Sequence, residues 1–173
     1  MLFAKLKPSL KAESIYEFDF QEAYDRGLRG IILDIDNTLV PHDAPADERA
    51  CRLADRLKKM GYRLLILSNN HGPRAKSFAD AVGVPYICDA GKPSRKGYEQ
   101  AIRQMQLGKE QVLCIGDQLL TDIWGASNAG LQSLLVEPVD PATDTAWIKV
   151  KRVMEKPIKL LHNRKGTSKI TQD

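Results

Sequence analysis

The chain has 173 residues, 43% of them hydrophobic and 28% charged, with a formal net charge of +4. Those proportions predict one soluble globular domain with a real core and exclude a low-complexity or disordered polypeptide. No apolar run approaches bilayer-spanning length, and the start, MLFAKLKPSL, lacks the hydrophobic region of a signal peptide. Three cysteines, Cys51, Cys88 and Cys114, match neither a disulfide framework nor a zinc pattern, so reduced thiols in a cytoplasmic protein are expected. The charge is unevenly placed. Residues 149–173 hold eight basic side chains against Glu155 and Asp173, a net of +6, which leaves −2 for residues 1–148.

In chain order, residues 1–28 read as a leader and one helix. Leu2, Phe3, Leu6 and Leu10 among three lysines, broken by Pro8, suggest a loosely packed start or a surface lying on a membrane. Asp19 is placed to cap a helix to about Arg26, closed by Gly27. The run Ile31-Ile32-Leu33 then suits a strand buried on both faces of a parallel sheet, over about 29–36. After Pro41 and Pro45, Ala46 to Met60 reads as a helix with Leu53, Ala54 and Leu57 inward, stopped by Gly61.

Tyr62 to Leu67 is the second strand, Pro73 to Val82 a helix capped by Gly83, and Val84 to Cys88 a third, short strand. Lys96 to Met105 shows Tyr98, Ala101, Ile102 and Met105 on one helical face; Val112 to Ile115 is the fourth strand. Thr121 to Asn128 is helical, Gln132 to Val136 is the fifth strand, and a last helix begins at Asp140-Pro141 and runs to Glu155, where Pro157 ends or kinks it. This alternation predicts a three-layer α/β/α sandwich around a five-stranded parallel sheet over residues 29–156. Residues 157–173 form a basic, flexible tail.

Polar residues fall at the carboxyl ends of four of those strands, which a doubly wound sheet brings to one edge: Asp34 and Asp36, Ser68 and Asn69, Lys92, and Asp117 with Asp122. Each alone reads as a turn or capping residue. Together, several carboxylates and one lysine would repel unless a divalent cation joined them, and oxygen donors of this kind suit magnesium with a phosphate. A lysine and a hydroxyl on that edge can hold phosphate oxygens while a carboxylate attacks phosphorus.

The order of these groups resembles the haloacid dehalogenase superfamily. Asp34-Ile35-Asp36-Asn37-Thr38 matches its DxDxT motif, Leu67-Ser68-Asn69 its Ser/Thr motif, Lys92-Pro93 its lysine motif, and Gly116-Asp117 through Asp122 its GDxxxxD motif. More narrowly, LDIDNTLV, SNN and GDQLLTDIWGA are similar to the small YqeG-type phosphatases of Gram-positive bacteria, themselves similar to a mitochondrial and plant family acting on phosphatidylglycerophosphate. The resemblance implies Asp34 as nucleophile and Asp36 as acid and base. It implies Lys92 as the neutralising cation, and Ser68 with Asn69 on the phosphoryl oxygens, with Thr38 bracing that loop. Magnesium would lie on Asp34, the Asp36 carbonyl and Asp117, supported by Asp122.

Members of that superfamily with substrate lids insert them after the first motif or between the second and third. Thr38 to Ser68 and Ser68 to Lys92 have no room for such a cap, so an exposed nucleophile and a large substrate such as a lipid headgroup are expected. A sugar or nucleic-acid phosphate, or a non-catalytic binding module, is the alternative. Lysines and apolar residues interleave from Trp147 to Leu161, which suggests contact with anionic lipid, although the spacing of Trp147, Val150 and Met154 favours a core-facing stripe. Five tyrosines and four phenylalanines are scattered without a stacking platform, so nucleic acid is not favoured. His71 is expected on the surface, at a helix start close to the site.

Overall fold

A computed structural model describes residues 2–164. Six parallel strands form one sheet: β1 (Leu10–Ala12), β2 (Gly30–Leu33), β3 (Arg63–Leu67), β4 (Tyr86–Ile87), β5 (Val112–Gly116) and β6 (Gln132–Val136), in the order β1-β6-β5-β2-β3-β4. From β2 the chain winds outward through β3 to β4, then returns to the other side of β2 for β5 and β6. Strand order therefore reverses between β2 and β5, and the crevice beyond their carboxyl ends is the position where open α/β sheets take ligands. Register holds those two ends level, with Leu33 opposite Ile115 and the Asp34 N–H donating to the Ile115 carbonyl at 3.0 Å.

Period-two alternation divides the apolar strand residues between two faces. Ile31, Leu33, Leu64 and Ile66 pack with Leu53 and Leu57 of α3 (Glu48–Lys59) and Phe78 of α4 (Gly72–Val82). On the opposite face Ile32, Leu65, Leu67 and Cys114 meet Tyr98 and Ala101 of α5 (Arg95–Met105) and Ala126 of α6 (Trp124–Ala129). The three layers expected from the sequence are present. Between Thr38 and Ser68 lie only α3 and β3, and between Ser68 and Lys92 only α4 and β4, so no cap domain interrupts the sheet.

The sheet has six strands rather than five, and the difference lies in the leader. After a short helix α1 (Leu2–Lys5), residues Leu10–Ala12 pair with Leu134–Val136 along the β6 edge. Three residues with a central lysine carry no strand signal of their own; the unpaired edge of β6 supplies the pattern. Leu6 is buried with Leu119, Ile123 and Leu135, so the leader is packed on the core at that position and not loose there. A short helix α2 (Phe20–Asp25), capped as expected by Asp19, leads into β2.

The last helix also departs from expectation. α7 spans Ala146–Arg164 and runs through Pro157. Pro157 lies on the outward side of the helix, where water can satisfy the carbonyl that its missing N–H leaves free. Trp147, Val150 and Met154, expected on the core, face solvent instead; the inward positions are Ile148, Arg152, Glu155 and Ile158. Of the tail expected over 157–173, residues 157–164 continue α7 as helix, and residues 165–173 lie outside the described residues.

If the leader belongs to the core, Leu6→Ala should destabilise the protein by about 2–5 kcal/mol, the range for emptying a buried leucine site. Denaturant unfolding measures this directly, and an unchanged midpoint would return the leader to a loosely attached segment.

Candidate active site

Asp34 follows β2 directly, and Asp117 follows β5. Asp122 comes from a wider π turn, Leu119–Ile123, between β5 and α6. Oxygens from these three carboxylates lie within 4.8 Å of one another. Asp122 approaches this close because residue 116 is glycine: a Cβ there would sit 2.3 Å from the Asp122 Cγ.

Two cations hold the cluster together, Lys92 buried and Arg152 partly so. The Lys92 Nζ lies 2.6 Å from Asp34 Oδ1 and 2.6 Å from Asp122 Oδ1. Burial alone would lower the lysine pKa, but Asp122 and Asp34 together hold it charged and well above its ordinary value. Arg152, from α7, donates through Nη2 to Asp117 Oδ2 at 2.6 Å and also pairs with Asp144. Four carboxylates, Asp34, Asp117, Asp122 and Asp144, thus share two cations. Burial pushes Asp34 up to about 7 against the pull of Lys92, with Asp122 adding repulsion. Asp117 is likewise raised, by burial and by its two carboxylate neighbours, in spite of Arg152. A set of crowded carboxylate oxygens short of positive charge fits a hard divalent cation.

Each expected residue has a definite place. The Thr38 hydroxyl lies 3.3 Å from Asp34 Oδ2 and 3.4 Å from Asp117 Oδ1, so it braces the two carboxylates and donates to one at a time. Ser68 is buried, and its oxygen accepts the Asn70 N–H at 3.0 Å, leaving its own proton free to donate. Asn69 was expected on phosphate oxygens. Instead both ends of its amide are engaged by the backbone of Lys92, Oδ1 accepting the N–H at 2.8 Å and Nδ2 donating to the carbonyl at 3.2 Å. That clamp fixes where Lys92 begins its reach.

Asp36 does not bring its carboxylate to the three-carboxylate cluster; a backbone carbonyl is the one donor it has left to offer there. Its side chain accepts from Asn70 Nδ2, from the Asp43 N–H at 2.9 Å and from Arg74 Nη2 at 3.0 Å. These contacts overcome the effect of burial and hold it below the usual carboxylate range. Between the two aspartates, Asn37 has a φ of 59°, a left-handed conformation that asparagine tolerates better than most residues. Its side chain ties the loop to the segment before α7: Oδ1 accepts the Asp140 N–H at 2.8 Å and Nδ2 donates to Asp144 at 2.6 Å. His71 is a surface residue beside Asp89, as expected.

Asn70, Arg74, Asp144 and Arg152 were missed from the sequence. Asn70 and Arg74 follow the Ser68 strand end by two and six residues, a usable signal. Arg152 sits among surface lysines and carries none. The expectation of an exposed nucleophile is also qualified: Asp34, held by Lys92, keeps 12% of its side chain exposed, and Asp117, paired with Arg152, keeps none.

The model of the haloacid dehalogenase-like hydrolases matches residues 42–130, beginning just downstream of the Asp34–Thr38 stretch. The chain is 37% identical over 160 residues, 92% of each chain, to a protein described as probable phosphatase YqeG from Bacillus subtilis strain 168. The chain belongs to the haloacid dehalogenase-like hydrolases. With that relative and the four motifs on one edge, it is a phosphatase of the family. It is also 26% identical over 158 residues to phosphatidylglycerophosphate phosphatase 1, chloroplastic, of Chlamydomonas reinhardtii, covering 86% of this chain and 59% of that one. Among solved structures, a haloacid dehalogenase-like hydrolase from Brucella suis 1330 superposes with a TM-score of 0.53 over 72% of this chain and 88% of its own, at 14% identity, a likeness of fold alone.

The raised Asp34 pKa fixes the sign of a linkage. Without a cation, the protonated Asp34 favours the fold below about pH 4, and that contribution is lost as pH rises to about 7. Thermal melting from pH 4 to 8 should therefore show a metal-dependent gain in Tm that grows with pH. Asp34→Asn should flatten that growth; an equal gain at every pH in both proteins would mean that the cation binds elsewhere.

Proposed function

We propose that the protein is a magnesium-dependent phosphomonoesterase that works through an aspartyl-phosphate on Asp34, with phosphatidylglycerophosphate as its leading substrate. The observation that carries the chemistry is the convergence of Asp34, Asp117 and Asp122 around Lys92 at the β2/β5 switch point. Asp34, Asp117 and the Asp36 carbonyl would hold magnesium, supported by Asp122, and the ion would neutralise the phosphoryl group as the carboxylate approaches it.

An Asp34 carboxylate oxygen attacks phosphorus, the bond from phosphorus to the ester oxygen breaks, and the leaving alkoxide takes a proton from Asp36. A water then attacks phosphorus, gives its proton to Asp36, and displaces Asp34 to release inorganic phosphate. Ser68 donates its free O–H to a phosphoryl oxygen and Lys92 balances charge on both Asp34 and the phosphoryl group. Asn69 acts through the backbone of Lys92. The clamp of Asn70 and Arg74 keeps Asp36 in its base form at rest, so a bound phosphate dianion must loosen it, by competing for Arg74, and Asp36 must take up a proton from solvent before it can donate.

The lipid substrate is supported by the similarity to the Chlamydomonas relative and by the lack of a cap that would enclose a small metabolite. Peripheral contact with the inner membrane surface accompanies that reading. Among the described residues no helix is long and apolar enough to cross a membrane.

Hydrolysis of an aryl phosphate should require magnesium and vanish in Asp34→Asn; turnover equal to wild type in that variant would exclude the covalent route. Asp36→Asn should lose about 10²–10⁴ in rate on alkyl phosphates, whose leaving groups need a proton, and clearly less on aryl phosphates. Equal losses on both would remove Asp36 from acid catalysis. For the substrate, phosphate release from vesicles containing phosphatidylglycerophosphate should exceed release from soluble sugar phosphates at matched concentration, and the reverse order would reject the lipid.

A further inference from the structure

α7 divides into two faces with opposite tasks. Its inward face touches the site and the core: Arg152 reaches Asp117, the buried Glu155 accepts the Leu120 N–H at 3.0 Å, and Ile158 packs beside Leu6 and Leu119. Its outward face packs against no other element among the described residues, yet it gathers their large exposed apolar side chains. Trp147, Val150, Val153, Met154, Leu160 and Leu161 are all exposed, Trp147 by 67% and Leu160 by 65%. At about 100° per residue these six fall on one broad stripe, roughly 20 Å long from end to end. They are every large exposed hydrophobic residue among the described residues. Apolar residues gathered on one patch, rather than scattered singly, mark an interaction surface.

Lysines border the stripe. Lys149 and Lys156, seven residues apart, line one flank; Lys151 lies on the other, its ammonium 5.9 Å over the Trp147 ring. The one acidic residue of the helix, Glu155, is buried on the opposite side. A second copy of this chain would bring like charges together along such a face. A flat, anionic, apolar-centred surface complements it on both counts, and an amphipathic helix with a lysine-edged apolar face is built to lie in the headgroup region.

We infer that the outward face of α7, Trp147 to Leu161, docks the protein on an anionic lipid bilayer, with the catalytic edge tethered beneath it through Arg152. This goes further than the lipid substrate and rests on that reading only for its purpose, not for its contact. A helix is about 10–12 Å across, so a phosphomonoester at the bilayer surface beside α7 lies about one helix diameter from Asp117. The contact belongs to the folded helix and its apolar stripe rather than to a flexible basic tail.

Full-length protein is sedimented with vesicles of phosphatidylglycerol and phosphatidylcholine, and with phosphatidylcholine alone. Binding to the anionic vesicles should be at least tenfold the stronger. Lys149→Gln with Lys156→Gln should weaken it about 25-fold, at about fivefold per lysine. Trp147→Ser, Val153→Ser and Leu160→Ser together should abolish it, while circular dichroism and hydrolysis of a soluble aryl phosphate stay within twofold of wild type.

Undiminished sedimentation of the triple variant would overturn the proposal. So would a wild-type dimer, seen by light scattering, that the triple variant dissolves without loss of vesicle binding, since the face would then join two copies. A wild type that hydrolyses aryl phosphate but ignores anionic vesicles defeats the docking and spares the chemistry. One that sediments through this face but hydrolyses no phosphate ester upholds the docking and defeats the chemistry.

Discussion

The interaction on which this structure depends is the sharing of too few cations by too many buried carboxylates at one edge of the sheet. Lys92 between Asp34 and Asp122, and Arg152 between Asp117 and Asp144, each satisfy two anions at once. Breaking such a buried pair by removing one partner leaves an uncompensated charge and is far costlier than losing a surface pair. The arrangement is therefore stiff as well as charge-deficient. Stiffness keeps the reacting groups in register; the deficiency is what a divalent cation and a phosphoryl group can answer.

Topology makes the crowding unavoidable. β2 and β5 are neighbours from different halves of the winding, paired level at their carboxyl ends, so Asp34 and Asp117 project into the same crevice. Gly116 lets Asp122 close in from the π turn, and the Asn69 amide fixes the backbone from which Lys92 reaches across. Asn37 carries the network onward to Asp144, and Asp144 to Arg152. α7 is thus wired to the Asp34–Thr38 loop through one continuous set of hydrogen bonds.

The central sheet was legible because its strands are short and mostly apolar, with β2, β3 and β5 running into Asp34, Ser68 and Gly116-Asp117, and because the helices between them keep a 3.6-residue period. β6 was read to the residue. What local pattern could not reveal were features supplied by a neighbour. β1 is a strand only because β6 offers it an edge. α7 passes Pro157 because that residue faces water. Within the site, the residues at strand ends were visible, since a parallel sheet dictates where those ends meet. Arg152 was not, because a guanidinium that reaches a buried aspartate 35 positions earlier looks in sequence like any other member of a basic stretch. The stripe on α7 was misassigned for a related reason: its period is helical on either face, and only the packed Glu155 and Arg152 decide which face turns inward.

That inversion changes how a cap-less enzyme can manage its substrate. Without an inserted lid, water exclusion and orientation must come from the body of the protein or from the surface that carries the substrate. Here the body contributes part of the answer, since Arg152 of α7 pairs with the fully buried Asp117, and only a small part of Asp34 beside Lys92 is open. The remaining side must admit the phosphoryl group. A helix that fixes one carboxylate of the cluster with its inner face and meets a surface with its outer face would make access and orientation a single event. The polar residues at 152 and 155, placed where an ordinary amphipathic helix would be apolar, are consistent with that division of labour. They sacrifice apolar burial on the inside, where charge must be balanced, and leave the hydrophobic residues on the outside, where a surface can cover them.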